Sequence, residues 1–237
     1  MSFGRPHRHY RRTDSTNRRA RELVDAGAPS GTVVTADEQS AGRGRRGRAW
    51  SAPPGKALLY SVVLRPLEAR HALLPLAVPV AVCEAIESVA PVRCEIKWPN
   101  DVWIDERKVA GILIESRPPE WAVIGIGVNI AIEAGEFPPE LRWPATSVGH
   151  GVSVEATLEP LNASLAAWTQ APPRRAVDAY RGRDALRGRA VSWEDGPPGI
   201  ERGRGTADGI DDRGDLVVDA EGGGRVGLGA GEVQLKL

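Results

Sequence analysis

The chain has 237 residues, which fits one substantial domain or one domain with a small appendage. Its 31 Lys and Arg residues balance 31 Asp and Glu residues, so a global positive field that recruits nucleic acid is excluded. Two cysteines, Cys83 and Cys94, exclude a disulfide framework. Neither a signal peptide nor an apolar run of membrane-spanning length is evident, so we expect a cytoplasmic protein without membrane contact.

The N-terminal part predicts one helix and two strands. Residues 1–12 show no periodic pattern, and we expect them to be flexible. The polar residues 14–17 (DSTN) supply side-chain caps for a helix that ends at Gly27. The β-branched residues 32–36 predict a short strand, and residues 57–65 predict a strand that is buried on both faces.

The middle of the chain predicts a helix followed by antiparallel strands. Residues 71–90 have the apolar content of a helix, but Pro75 and Pro79 predict a kink or a late helix start. Residues 105–107 predict the turn of a hairpin. The predicted strands of this region are residues 94–98, 102–104, 108–115 and 121–130.

The C-terminal part changes its pattern from helices to short strands. A proline-rich loop precedes two predicted helices, at residues 154–170 and 174–186. From about Gly188 onward, short apolar segments alternate with Gly and Asp turns, which is typical of a small antiparallel barrel or sandwich. We therefore predict two domains, residues 1–185 and residues 186–237.

The positions of the lysines carry the most information about function. Only four of the 31 basic residues are lysine, and two of them fall in residues 97–115, KWPNDVWIDERKVAGILIE. Lys is a compact point charge, whereas Arg is a planar fork. Lys97 and Lys108, retained beside Asn100 and Asp101, indicate a site for a carboxylate or phosphate oxygen; an ordinary hairpin is the alternative.

A glycine- and arginine-rich loop precedes the first long strand. Residues 42–47 (GRGRRG) match the dinucleotide-binding fingerprint, with Glu68 at about the required distance. The fingerprint needs a helix that starts within the motif, but residues 48–55 lead directly into a strand. The remaining interpretations are an Arg-Gly segment that binds RNA, a disordered basic loop, or a mobile loop that closes over an anion. In the third case Trp50 can lie over an aromatic base.

These segments, in this order, resemble the biotin protein ligases. The similarity is carried by residues 14–17, 39–50 (QSAGRGRRGRAW), 97–115 and 125–130 (GIGVNI), and residues 207–211 and 231–233 resemble the C-terminal domain of that family. The resemblance implies an α+β fold of the class II synthetase-like, biotin/lipoate ligase type. A mixed β-sheet catalytic domain flanked by helices is then followed by a small SH3-like β-barrel.

The resemblance also implies a two-step reaction. Biotin is activated with ATP and Mg²⁺ to biotinyl-5′-AMP and is then transferred to a lysine of the biotin carboxyl carrier protein or domain of acetyl-CoA carboxylase or a related carboxylase. A carboxylate and a triphosphate repel each other, so cations must offset their charge as the bond forms. The nearest alternative is a lipoate or octanoate ligase of the same fold.

The implied protein is a monomer or homodimer that does not bind DNA. Some family members carry an N-terminal helix-turn-helix domain, but the Ser-Thr-Asn motif begins here at Ser15, which we expect to leave no room for one. We therefore expect no repressor role.

The resemblance assigns a role to each matching residue. Lys108, Arg45 and Asp101 correspond to catalytic residues, and Asp101 also to a metal ligand. The implied biotin contacts are Ser15, Thr16, Asn17, Gln39, Gly42, Arg43, Gly44, Arg45, Lys108, Gly111, Gly125 and Gly127. The implied contacts to ATP and the adenylate are Arg43, Arg45, Arg48, Trp50, Lys97, Asn100, Lys108 and Asn129.

Overall fold

The computed structural model of the chain describes residues 2–141, 143–194, 201–229 and 232–235, and within these it forms two β-sheets. The larger sheet consists of β1 (His7–Tyr10), β2 (Val33–Ala36), β3 (Ala57–Leu64), β4 (Glu95–Lys97), β5 (Asp101–Ile104), β6 (Arg107–Arg117) and β7 (Trp121–Asn129). Their spatial order is β1-β2-β3-β7-β6-β5-β4. The sheet is mixed, because β1 and β2 are parallel and the other neighbours are antiparallel.

Helices cover both faces of the large sheet. They are α1 (Thr16–Asp25), α2 (Leu74–Val89), α3 (Val154–Trp168) and α4 (Pro173–Arg181). Successive residues of a strand point to opposite faces. On β3, Tyr60 and Val62 enter the core that contains α2 and α3, whereas Val63 packs with Ala20 and Val24 of α1 on the opposite face. The remainder of the α1 face is where a cavity opens.

The prediction that residues 1–12 are flexible is wrong. His7–Tyr10 forms β1, which pairs in parallel with β2. The Thr35 hydroxyl of β2 lies 2.7 Å from Nε2 of His7 and 3.0 Å from Nδ1 of His9. These side-chain hydrogen bonds add to the backbone pairing of β1 with β2. A strand made of His, Arg and Tyr gives no hydrophobic alternation, so only its partner strand reveals it.

The start of α1 is also organised differently from the prediction. Ser15 occupies the N-cap position, but its side chain makes no capping hydrogen bond. Instead, the Thr16 backbone N–H donates to Oε1 of Gln39 at 2.7 Å. A residue from the following loop therefore satisfies the helix start, a role that local capping rules assign to nearby side chains.

Helix α2 is the central element of the core. A 3₁₀ turn at Ala69–Leu73 precedes it, which confirms the predicted late start, and Pro79 lies inside it. The segment Ala69–Val89 has the length and hydropathy of a membrane span, contrary to our expectation from the sequence. However, 61% of its most apolar window is buried inside the protein, as in the core helix of a soluble protein.

The second sheet is antiparallel and confirms the predicted change at the C-terminal end. Its strands are β8 (Ala190–Glu194), β9 (Glu201–Ile210), β10 (Leu216–Ala220), β11 (Arg225–Leu228) and β12 (Glu232–Leu235), in the order β11-β10-β9-β8-β12. Val191, Leu216 and Val233 belong to the same buried cluster as the residues of α2. The two sheets therefore share one hydrophobic core.

Candidate functional site

Strand register gathers the predicted residues into one row across the sheet. Leu59 pairs with Gly127, Gly127 with Gly111, Gly111 with Asp101, and Asp101 with Lys97. Directly paired residues in a sheet share a face. The row therefore places two glycines, a carboxylate and a buried lysine side by side, although they come from four different strands.

A cavity of about 230 Å³ opens on this face. All the catalytic, biotin-binding and nucleotide-binding residues that the resemblance implied line this cavity, with one exception. Gly42 lies beside the wall, where a Cβ atom would come within 2.8 Å of Gln39 Nε2 and even closer to the Trp50 carbonyl. Gly42 is thus a position of close backbone approach within the loop and is not part of the cavity wall.

The floor of the cavity is a polar network at the start of α1. Ser61 Oγ donates to Thr16 Oγ1 at 2.8 Å or to Asn17 Oδ1 at 2.7 Å, and Gln39 Oε1 accepts from the Thr16 hydroxyl at 3.1 Å. Asn17 Nδ2 donates to the Leu113 carbonyl at 3.3 Å. Thr16, Asn17 and Ser61 are almost fully buried, so they present fixed donors and acceptors to whatever enters the cavity.

The glycines on this face make room for side chains of the protein. A Cβ atom on Gly125 would lie 2.7 Å from Asn17 Cγ, and one on Gly127 would lie 2.6 Å from Cζ2 of the Trp50 indole. Gly111 is similar, because its Cβ would lie 2.8 Å from Cζ3 of the same ring. We expected a ligand to lie directly against these glycines, but Asn17 and Trp50 occupy that space in this structure.

Lys108 lies where the hairpin meets the cavity. Its Nζ is 2.6 Å from Oδ1 of Asp101 and 5.5 Å from the centroid of the Trp50 ring. The tight turn that precedes it has positive φ at both Asp105 and Glu106, and β5 and β6 shift register between Val102 and Trp103. The shift allows Lys108 to reach the same face as Asp101.

Lys97 is buried more deeply, with 3% of the residue exposed. Its Nζ donates to the backbone carbonyl of Val233 at 2.9 Å and lies 4.9 Å from the ring centroid of Trp143. The centroid of Trp103 is 5.8 Å away. The two indoles and the carbonyl therefore fix the position of the Lys97 ammonium group at the cavity wall.

The glycine- and arginine-rich loop folds back over the cavity. Gly44 N donates to Arg48 O at 2.7 Å, and Trp50 N donates to Gly42 O at 3.0 Å, so the loop closes as a small hairpin. Arg45 Nη1 donates to Oδ1 of Asn100 at 3.4 Å. Main-chain bonds therefore set where the arginines and Trp50 enter the site.

The contacts of Asn129 and Asp101 differ from the nucleotide contact and the metal site that the resemblance implied for them. Asn129 Nδ2 donates to the carbonyls of Lys108 and Thr146, at 3.4 and 3.0 Å, so it also fixes the cavity wall. Among the described residues no group of three His, Cys, Asp or Glu side chains gathers, so Asp101 lacks the partners of a metal centre built by protein alone.

Several residues of the site were missed in the sequence. Ser61 lies in a continuous apolar strand, where a small buried polar residue was the available signal. Trp143 and Phe137 come from the proline-rich loop, which carries no local pattern for a cavity wall. Glu115 is the last residue of the 97–115 motif, and the sequence assigned it no role. In the structure its Oε1 accepts from Arg43 at 3.0 Å and its Oε2 accepts from Asn17 at 2.9 Å.

The family described as the biotin/lipoate A/B protein ligases matches residues 9–129, which include the helix start, the loop, the hairpin and the glycine strand. The chain belongs to the biotin/lipoate A/B protein ligase family. The resemblance to biotin protein ligases is thereby confirmed.

Two relatives illustrate how far the similarity extends. The chain is 36% identical over 237 residues to the biotin–[acetyl-CoA-carboxylase] ligase of Mycobacterium tuberculosis, covering 93% of this chain and 85% of that ligase. It is 43% identical over 141 residues to the bifunctional ligase/repressor BirA of Bacillus subtilis, covering 56% of this chain. That match spans only 43% of the BirA ligase/repressor.

A solved ligase structure supports the fold over the whole chain. The biotin protein ligase from Aquifex aeolicus, in complex with biotin and ATP, has a TM-score of 0.80 to this structure at 26% identity. The similarity covers 98% of this chain and 99% of the Aquifex ligase. The predicted fold, a mixed sheet flanked by helices and followed by a small sheet consistent with an SH3-like domain, is confirmed.

Proposed function

We propose that this member of the ligase family is a biotin protein ligase. It activates biotin with ATP to biotinyl-5′-AMP and transfers biotin to one lysine of a carboxylase carrier domain. The supporting observation is that a single cavity collects the polar start of α1, the arginine loop and both hairpin lysines. The relatives named as biotin ligases extend over most of the chain.

The first step joins two anions, and the cavity offers the charges that this requires. The biotin carboxylate attacks the α-phosphorus of ATP, and pyrophosphate leaves. Lys108 is the central cation, held in place by Asp101, and Arg45 approaches from the loop. Fixed cations stabilise the negative charge that develops in the transition state, while positioning brings the reacting groups together.

The polar floor suits the urea ring of biotin. A urea group has two N–H donors and one carbonyl acceptor, so it needs partners of both kinds. Ser15, Thr16, Asn17 and Gln39 surround this part of the cavity, with Ser61 behind them. A buried polar group that leaves its partners unpaired is costly, so such a floor selects a ligand that satisfies it.

In the second step the carrier lysine attacks the acyl carbonyl, and AMP leaves. An acyl-adenylate exposed to water is hydrolysed, and the folded loop with Arg43 and Trp50 shields the cavity. The proposal assigns the nucleotide to Trp50, Lys97, Asn100, Arg48 and Asn129, which also line the cavity.

Magnesium fits this site as an ion carried by the triphosphate. Mg²⁺ commonly keeps several waters and binds through phosphates and one or two carboxylates. Asp101 is the carboxylate on the cavity wall that would hold it, together with the neighbouring Asn100. When bound, the ion would supply positive charge to the triphosphate, and the residues of the chain would orient the reacting groups.

Other properties stay predictions of the same proposal. The catalytic domain is placed at residues 1–185 and the C-terminal domain at residues 186–237. The acceptor is the biotin carboxyl carrier domain of acetyl-CoA carboxylase or a related carboxylase. The cytoplasmic location and the absence of DNA binding await direct tests.

Pyrophosphate exchange into ATP tests the first step. The purified protein is incubated with Mg²⁺, ATP and labelled pyrophosphate, with biotin, with lipoate, or with neither acid. Exchange that depends on biotin supports the proposal. Exchange that depends on lipoate instead of biotin would keep the fold but assign lipoate as the substrate. If neither biotin nor lipoate stimulates exchange, the ligase proposal is refuted.

A further inference from the structure

Glu115 joins three elements that surround the cavity. It lies on β6, where it pairs with Val123 of β7. Its Oε2 accepts from Nδ2 of Asn17 at the start of α1, at 2.9 Å. Its Oε1 accepts from Nη1 of Arg43 in the arginine loop, at 3.0 Å. One carboxylate thus contacts both the floor and the covering loop.

The charge of Glu115 is unexpected next to a site for anionic ligands. A nearby carboxylate weakens anion binding, and the side chain of Glu115 is 19% exposed, so solvent screens it only in part. Arg43 at 3.0 Å and Arg21 at 3.9 Å offset that charge. A carboxylate that would weaken the binding of anionic ligands at this position is consistent with a specific structural role.

The two oxygens of Glu115 perform different tasks. Asn17 is already held on its other side, because the Ser61 hydroxyl donates to its Oδ1 at 2.7 Å. Asn17 Nδ2 has two acceptors, the Leu113 carbonyl at 3.3 Å and Glu115 Oε2 at the shorter distance of 2.9 Å, so Glu115 helps to orient the Asn17 amide. Oε1 instead binds Arg43, a half-exposed arginine of the covering loop, so this contact acts on loop closure.

We propose that Glu115 is a positioning residue that couples the occupied floor of the cavity to the closed loop. Through Oε2 it fixes Asn17 against the ligand, and through Oε1 it holds Arg43 and keeps the loop shut over the adenylate. Glu115 touches no reacting atom. The inference rests on the proposed ligase function for its ligand, but the contact with the loop can be tested without it.

Two substitutions separate the two tasks. Glu115→Gln keeps an oxygen that can accept from Asn17 but loses the charge that holds Arg43. Glu115→Ala loses both contacts. Glu120→Gln is the matched control, because Glu120 makes an exposed ion pair with Arg117 at 3.2 Å near the far end of the same strand.

The first measurement needs no ligand. Trypsin cleaves after arginine, and the loop offers four such sites within residues 43–48. We expect Glu115→Gln to be cut in the loop faster than wild type, by roughly three- to tenfold, in line with the loss of one partly buried ion pair. Glu120→Gln should be cut at the wild-type rate. Equal cutting of Glu115→Gln and wild type would overturn the contact with the loop.

The second experiment measures how fast biotinyl-5′-AMP is released in single turnovers. The KM for biotin is measured in parallel by steady-state pyrophosphate exchange, and all variants are first freed of aggregates and verified as folded. Glu115→Gln should release the adenylate roughly three- to tenfold faster, with a KM for biotin within about twofold of wild type. Glu115→Ala should release it equally fast and also raise the KM for biotin. If the two variants share the same biotin KM, the contact with Asn17 carries no function and the coupling is refuted. If wild type forms no adenylate, the ligase proposal fails while the trypsin result still decides the contact with the loop.

Discussion

Three glycines on one face of the sheet give the cavity its shape. Gly125 leaves space for the Asn17 amide, and Gly111 and Gly127 leave space for the Trp50 indole. Protein interiors are close-packed, so a single added methyl group at such a position displaces its neighbour. The glycines therefore act by positioning the Asn17 and Trp50 side chains in the cavity wall.

Gly125→Ala should raise the KM for biotin by at least about tenfold, because the new methyl group displaces Asn17 from its bonds with Ser61 and Glu115. Biotin-dependent pyrophosphate exchange measures this effect. Gly135→Ala is the matched control, since nothing lies within 4 Å of its added carbon. A Gly125→Ala enzyme with the wild-type KM would remove Asn17 from the biotin site.

Lys108→Ala should lower the rate of adenylate formation by at least about a hundredfold, because it removes the cation that meets the developing charge. Lys108→Arg should rescue little, since a guanidinium group is broader than an ammonium group and would meet Trp50. Rapid-quench detection of biotinyl-5′-AMP measures the rate, and circular dichroism verifies the fold. Full activity in folded Lys108→Ala would exclude this residue from the mechanism.

Specific polar contacts, in addition to the hydrophobic core, fix the elements of the fold to one another. Arg183, which follows α4, makes a two-pronged ion pair with Glu87 of α2, at 2.6 and 2.8 Å. Glu87 also accepts from the backbone N–H of Cys94 at 2.8 Å. Burial by itself would raise the pKa of Glu87, but the bonds from Arg183 and Cys94 outweigh burial and hold that pKa below its ordinary value.

Glu87→Gln should lower the free energy of unfolding at pH 7 by about 1–2 kcal/mol. A carboxylate with a depressed folded-state pKa stabilises the protein above its unfolded pKa, about 4.3, and loses that contribution as the pH falls through the folded value. Urea unfolding at pH 7 and near pH 3 therefore should show a difference between variant and wild type that shrinks in acid. A difference that is independent of pH would contradict this account.

Elements with a local pattern could be predicted from the sequence, and those without one could not. The hairpin around Asp105 and the late start of α2 follow from turn and proline chemistry. Strand β1 depends on its pairing with β2, and the start of α1 depends on Gln39 from another segment. Long-range partners of this kind leave no trace in the periodicity of a single segment.

The same distinction applies to the site. Continuous motifs led to Asn17, Arg43 and Lys108, and the structure brings them to one cavity. Ser61 and Trp143 reach it only because strand register and loop packing place them there. Their positions follow from tertiary structure, which motif spacing does not encode.

At the scale of the whole molecule, one large buried cluster extends into both sheets. Val191, Leu216 and Val233 of the small sheet belong to the buried cluster of the large one. Polar contacts also join the two parts of the chain that carry these sheets. Trp98 Nε1 donates to Gly214 O at 3.1 Å, and Arg189 forms an ion pair with Glu106 at 2.6 Å. The proposed C-terminal domain is therefore attached through buried surface.

Leu216→Ala should lower the free energy of unfolding of the entire chain by about 2–4 kcal/mol, because it opens a cavity in the shared core. Thermal or urea unfolding followed by far-ultraviolet circular dichroism and by tryptophan fluorescence should still show one coincident transition. Two separate transitions in the variant, with only one shifted, would show that the sheets unfold independently.

The bond between Lys97 and the Val233 carbonyl has a consequence for protein synthesis. The two residues are separated by 136 positions, so a ribosome finishes the wall around Lys97 long after it has made the lysine itself. At ordinary translation speeds the delay is on the order of ten seconds. A nascent chain, or one terminated before Val233, would therefore lack this wall of the cavity.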